Sequence, residues 1–94
     1  MTEEFRDVRH ESRFELLVEG MVVYAAYRRR DGMIVIYHVE TPRPLRGQGA
    51  ADRLMTAAVA AIRAEGLKLV PTCSYAAAWM RRHPEHHDLL ARLA

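Results

Sequence analysis

The chain has a single cysteine, no long apolar run and little imbalance of charge, and each shortage removes a class of protein. One cysteine, Cys73, cannot build an internal disulfide framework, so a reduced, cytoplasmic protein is expected. No apolar stretch approaches the ~20 residues that a membrane-spanning helix requires. The segment Met1-Thr2-Glu3-Glu4-Phe5-Arg6 is charged and lacks the apolar stretch of a secretory signal. A formal charge of +2 is too small for a general nucleic-acid binder, which would have to gather its basic residues into a stripe. Glycine and proline are too scattered for a linker, and no repeat or low-complexity tract is present. What remains is half apolar and sized for one domain, burying ~60–65% of the surface of its extended chain.

Residues 1–12 are polar and of mixed charge, and are expected to be disordered or frayed, leaving a single domain over residues 13–94. Phe14, Leu16 and Val18 alternate with their neighbours as in a strand that ends at the turn pair Glu19-Gly20. Met21 to Arg28 is β-branched and aromatic enough for a second strand, and Asp31-Gly32 supplies hairpin chemistry. Met33 to Glu40 reads as a third strand with Ile34, Ile36, His38 and Glu40 on one face and Met33, Val35, Tyr37 and Val39 on the other. The expectation is an antiparallel three-stranded meander, stopped by Pro42 and Pro44. An alanine-rich amphipathic helix follows to Glu65, with Gly66 placed for a C-terminal cap. Leu67 to Pro71 is then a short strand reached by crossover and so parallel to the third, and Ser74 is positioned to cap a helix through Arg82. Glu85 to Leu93 leaves room for one or two final helical turns. The fold class is α/β in the α+β sense: a mixed sheet with helices.

The stretch Leu45-Arg46-Gly47-Gln48-Gly49-Ala50-Ala51 opens directly into the long helix. The N–H groups of a helix's first turn lack intrahelical partners, and the helix dipole places partial positive charge there. Small residues let an anion approach the main chain, and Arg46 adds a full charge, so the stretch is a candidate phosphate cradle.

The order of elements and the motif Arg46-Gly47-Gln48-Gly49-Ala50-Ala51 resemble the GCN5-related N-acetyltransferases, whose pyrophosphate signature is Arg/Gln-x-x-Gly-x-Gly/Ala. His38-Val39-Glu40-Thr41-Pro42, Gly66-Leu67-Lys68, Pro71-x-Cys73-Ser74-Tyr75 and Arg82-His83-Pro84-Glu85 are similar to the minimal single-domain subgroup of the YjdJ type, and the resemblance runs over residues 14–90. It implies acetyl-CoA as co-substrate and an amine, small molecule or protein lysine, as acceptor. The coenzyme would lie in a V-shaped opening between two splayed parallel strands. Its pyrophosphate would meet Arg46, Gly47, Gln48, Gly49, Ala50 and Ala51, and its pantetheine arm would run beside Val39, Glu40 and Thr41. Transfer is expected to be direct, the amine attacking the thioester carbonyl. Where many members carry a tyrosine that protonates the leaving thiolate, this chain has Trp79, whose indole N–H is no acid at working pH, so Tyr75 or water would have to serve.

Three residues are candidates for catalysis: His38 and Glu40 as base and orienting partner, and Cys73 at the mouth of the opening, where a helix N-terminus favours a thiolate. His38 and Glu40 also read as a polar pair facing solvent, and Cys73 as a small residue that shapes the acetyl site without forming an intermediate. The His83, His86 and His87 cluster lacks the second cysteine that would complete a metal site with Cys73, and no metal is expected. Arg28-Arg29-Arg30 beside a hairpin reads as a solvated turn in preference to a nucleic-acid contact, and Trp79, Leu89 and Leu90 as core or a dimer face. A monomer or weak homodimer is expected. The alternative to an enzyme is a non-catalytic acyl-CoA-binding or protein-interaction module on the same fold.

Overall fold

The computed structural model describes residues 3–92. Four antiparallel strands, β1 (Glu4–Val8), β2 (Arg13–Val18), β3 (Met21–Arg30) and β4 (Met33–Glu40), lie in sequence order, and β5 (Lys68–Pro71) adds to β4 in parallel. Helix α1 (Ala50–Ala64) makes the crossover, α2 (Ser74–Arg81) follows β5, and a 3₁₀ segment (Pro84–Leu89) closes the chain onto Leu69 through a bridge at Leu90. Parallel neighbours require such a crossover, which is why the glycine turn and α1 sit between β4 and β5. At its far end α1 stops on Gly66: the Leu67 N–H donates to the Ile62 carbonyl and the Gly66 N–H to that of Arg63, satisfying carbonyls that the helix leaves open.

The expected fraying of residues 1–12 is corrected for residues 4–11, while Met1 and Thr2 lie outside the described residues. β1 pairs with β2 over its whole length, so the meander has four strands. Its polar composition conceals two anchors. Phe5 stacks on Phe14 with ring centroids 5.8 Å apart. Asp7 accepts hydrogen bonds from the Tyr27 hydroxyl (2.6 Å), Arg9 (3.1 Å) and Arg29 (3.0 Å). A carboxylate so well supplied with donors can sit beside the core face without an unpaired charge.

Both helices cover one face of the sheet. Phe14, Leu16, Val23, Ala25, Tyr27, Ile34, Ile36 and Leu69 are buried there with Leu54, Met55, Ala58 and Ile62 of α1 and Ala76, Trp79 and Met80 of α2. Among the described residues the other face carries no helix. Leu17, Val22, Tyr24, Val35 and Val70 are only half-buried on it, and the molecule measures just 19 Å along its thinnest axis.

A β-bulge changes which residues reach which face. Tyr27 pairs with Ile36, but Ala26 pairs with His38, so Tyr37 is an extra residue in β4. An extra residue shifts the alternation by one. Val39, opposite Ala25, therefore takes the core face, while His38 and Glu40, opposite Ala26 and Tyr24, take the helix-free face. The expectation that they share a face with Ile34 and Ile36 is corrected accordingly.

The β4–β5 ladder is short. It runs from Met33–Lys68 to Ile36–Pro71 and ends where the Thr72 and Cys73 N–H groups converge on the Ile36 carbonyl, at 2.9 and 3.3 Å. Beyond that point β4 continues to Glu40 paired only with β3, while the other chain turns into α2. The two strands thus part at the bulge, leaving a wedge between residues 37–41 and 73–75.

Candidate active site

The glycine turn is built by the 3₁₀ segment Arg43–Leu45, whose proline content ends β4 and whose Leu45 is buried as an anchor. Gly47 (φ +80°) and Gly49 (φ +76°) both take the left-handed conformation, which costs an L-residue with a side chain roughly 1–2 kcal/mol. Gly49 is the residue at which α1 begins, and no side chain caps that end. The N–H groups of Gly47, Gly49, Ala50, Ala51 and Asp52 consequently make no hydrogen bond among the described residues, whereas Gln48 N–H is spent on the Leu45 carbonyl and Arg53 N–H on that of Gly49. Arg53 braces the turn from the side, donating from Nη1 to the Gln48 carbonyl at 2.9 Å while Nε and Nη2 grip the Glu3 carboxylate.

These donors border a cavity of about 210 Å³ lined by Thr41, Arg46, Gly47, Gly49, Ala50 and Ala51. Leu45, Asp52 and Tyr75 complete the lining. That volume is below the ~300–1,000 Å³ of a pocket for a whole drug-sized ligand. It suits a diphosphate, with the rest of a longer ligand left to the wedge. Arg46 donates from Nε to the Thr41 carbonyl (3.1 Å), and its Nη2 lies 3.5 Å from Glu40, so its charge is held at the mouth.

Of the residues that the sequence pointed to, six of the nine coenzyme contacts line this cavity. Gln48 turns away, donating to the Pro44 carbonyl, Val39 packs on the core, and the Glu40 side chain lies on the helix-free face. His38 Nε2 and Glu40 Oε1 are 3.0 Å apart. A carboxylate only accepts, so Nε2 carries the proton of this bond and Nδ1 is the ring nitrogen that Glu40 leaves unengaged. Tyr24 packs beside the imidazole with centroids 6.0 Å apart.

Cys73 stands at the edge of the wedge, where its N–H donates to the Ile36 carbonyl. Its Sγ accepts from the Ala76 N–H at 3.3 Å, making Cys73, and not Ser74, the N-cap of α2, and it does not line the cavity. Trp79 is buried, its indole N–H donates to Asp52 at 2.7 Å, and it stacks on His83 at 3.8 Å. Tyr75, by contrast, lines the cavity. Burial, with the Asp52 charge nearby, raises its hydroxyl above the usual tyrosine range and outweighs the opposing effect of Arg82, so the group keeps its proton and can donate it or a hydrogen bond. His83 and His87 are each engaged with a backbone carbonyl, of Trp79 and Met80, and His86 lies 3.4 Å from Arg63.

Asp52 escaped the sequence reading, because an acid in a helix's first turn is ordinary electrostatics and carried no distinguishing signal.

The architecture is thus a mixed sheet with one parallel strand pair, β4 and β5, and a crossover helix that starts on a glycine turn. The sequence profile of the family described as GCN5-related N-acetyl-transferase matches residues 13–89, and the chain belongs to that family. Among solved structures it is similar to the NMR solution structure of a GCN5-like protein from Staphylococcus aureus, proposed to be an N-acetyltransferase. That match has 26% identity and a TM-score of 0.73 over 97% of this chain and 90% of the other. No curated protein matches the chain.

Proposed function

We propose that this protein is an acetyl-CoA-dependent N-acetyltransferase that passes the acetyl group directly to an amine. The observation that carries the reading is the set of unpartnered N–H groups at Gly47 and Gly49 to Asp52, facing a diphosphate-sized cavity with Arg46 at its mouth. The pyrophosphate would accept from these donors. The pantetheine arm would follow residues 39–41, which have no strand on the β5 side, and bring the thioester into the wedge.

The coenzyme supplies an activated acetyl thioester, and the chain supplies position and protons. The amine must lose a proton to attack, and His38 Nδ1, on a ring oriented by Glu40, would be the base, on the helix-free face outside the lining of the cavity. The Tyr75 hydroxyl, kept protonated by burial, stands at the start of α2 beside the wedge and would be the donor to a departing thiolate. Cys73 has no covalent part in this scheme, because its sulfur serves as a helix cap. Incubation with labelled acetyl-CoA and a panel of amines tests the reading. Acetylated amine is expected, and coenzyme binding with no product from any amine would favour the non-catalytic module.

A further inference from the structure

We infer that the helix-free face of the sheet docks the acceptor, and that the acceptor is a polypeptide whose target lysine lies among acidic residues. The inference rests on the acetyltransferase reading for its chemistry but on separate observations for its specificity. The bulge at Tyr37 turns His38 and Glu40 onto this face, outside the lining of the coenzyme cavity though Glu40 touches Arg46 at its mouth, so an amine reaching them arrives across the open sheet. That surface carries half-buried Val35 and Val70 and, at 42% exposure, Tyr37. An open sheet face with no helix over it does not enclose a small amine, whereas a peptide can cover it over many contacts.

Charge selects the peptide. The carboxylates of this face nearest His38 are already committed, Glu15 being shared by Arg6 (3.0 Å) and Arg13 (2.7 Å) and Glu40 by His38 and Arg46, while the exposed Glu4 stands apart on the outermost strand β1. Arg28 and Arg30 project from the same face, as their pairing with Val35 and Met33 requires, and make no ion pair among the described residues. Arg28 lies over the Tyr37 ring at 4.5 Å from its centroid, two rungs from His38. A lysine approaching His38 therefore meets surplus positive charge unless its neighbours in sequence are acidic. The stacked guanidinium keeps its donors free for a carboxylate.

The test uses the full chain and two fluorescent peptides, each with one central lysine, flanked by aspartate and glutamate in one and by lysine-free basic residues in the other. Binding by anisotropy in the presence of CoA, and acetylation by mass spectrometry, are read separately. The acidic peptide is expected to bind on the order of tenfold more tightly at low salt. It is also expected to be acetylated faster, with an advantage that shrinks as salt rises and is lost in Arg28→Gln and in Arg30→Gln together with it. Equal binding of the two peptides, or an acidic preference that survives both substitutions, overturns the proposal even if a small amine is acetylated. Preferential binding of the acidic peptide without acetylation of any amine upholds the docking face and overturns the transferase reading instead.

Discussion

Gly49 carries two burdens, since its left-handed φ starts α1 and its bare Cα opens the turn to an anion. A Cβ there would meet only Arg53 Nη1, at an ordinary 3.4 Å, so Gly49→Ala is expected to fold with a loss of roughly 1–2 kcal/mol from backbone strain and to bind acetyl-CoA markedly more weakly. Calorimetric titration against the parent protein checks this. Arg46→Ala should weaken binding less, because the backbone donors remain. At His38 and Glu40 the expectation is kinetic. Replacing both should lower the rate by about 10²–10⁴ with little change in coenzyme affinity, and a double variant with parental turnover would hand the proton to solvent. Cys73→Ser keeps an acceptor for the Ala76 N–H, so it should fold and turn over. Labelled acetyl-CoA without acceptor should leave no thioester on Cys73, and an adduct that chases into product would establish a two-step route.

At the scale of elements, the attachment of β1 is what the sequence concealed, and it is largely electrostatic at its far end. Glu65, beyond the last turn of α1, receives Arg29 (3.0 Å) and Arg9 (3.0 Å), and its hydrogen bond with Arg29 holds its carboxyl below the usual range. Asp88 is lowered likewise by its hydrogen bond with Arg63 from α1. Groups with depressed folded values hold the proton less tightly than in the unfolded chain. Their contribution is therefore fully present above the unfolded carboxylate range of about pH 4–4.5 and is lost as the pH falls through the lower folded values. Thermal midpoints measured from pH 7 down to about pH 3 should fall at the acid end, and Arg29→Gln should flatten that fall. An unchanged acid limb in Arg29→Gln would show that the ion pairs do not secure β1. The bulge belongs to this scale as well. Alternation along Met33–Glu40 placed His38 and Glu40 with the core residues, because nothing in a single strand's pattern reveals that its partner skips a residue. The hairpins, the crossover helix and the parallel strand were legible, since turn pairs and periodicities are local. A one-residue slip between paired strands is not.

For the whole molecule, the glycine turn was the most readable part of the site. Its chemistry lies in the backbone, and Gly-x-Gly before an amphipathic helix specifies backbone shape directly. Roles that depend on where a side chain points were less legible. Cys73 caps a helix and Tyr75 reaches the cavity although they stand two residues apart, and only the packing of α2 separates them. The central claim is that coenzyme phosphate is held by the main chain from Gly47 to Asp52 while its arm follows the free edge of β4. An amide-resolved NMR titration of the full chain with acetyl-CoA tests it most directly. Saturable shifts are expected at Gly47, Gly49, Ala50, Ala51 and Asp52, joined by Val39 to Thr41. Saturable binding that leaves those amides unmoved would contradict the account.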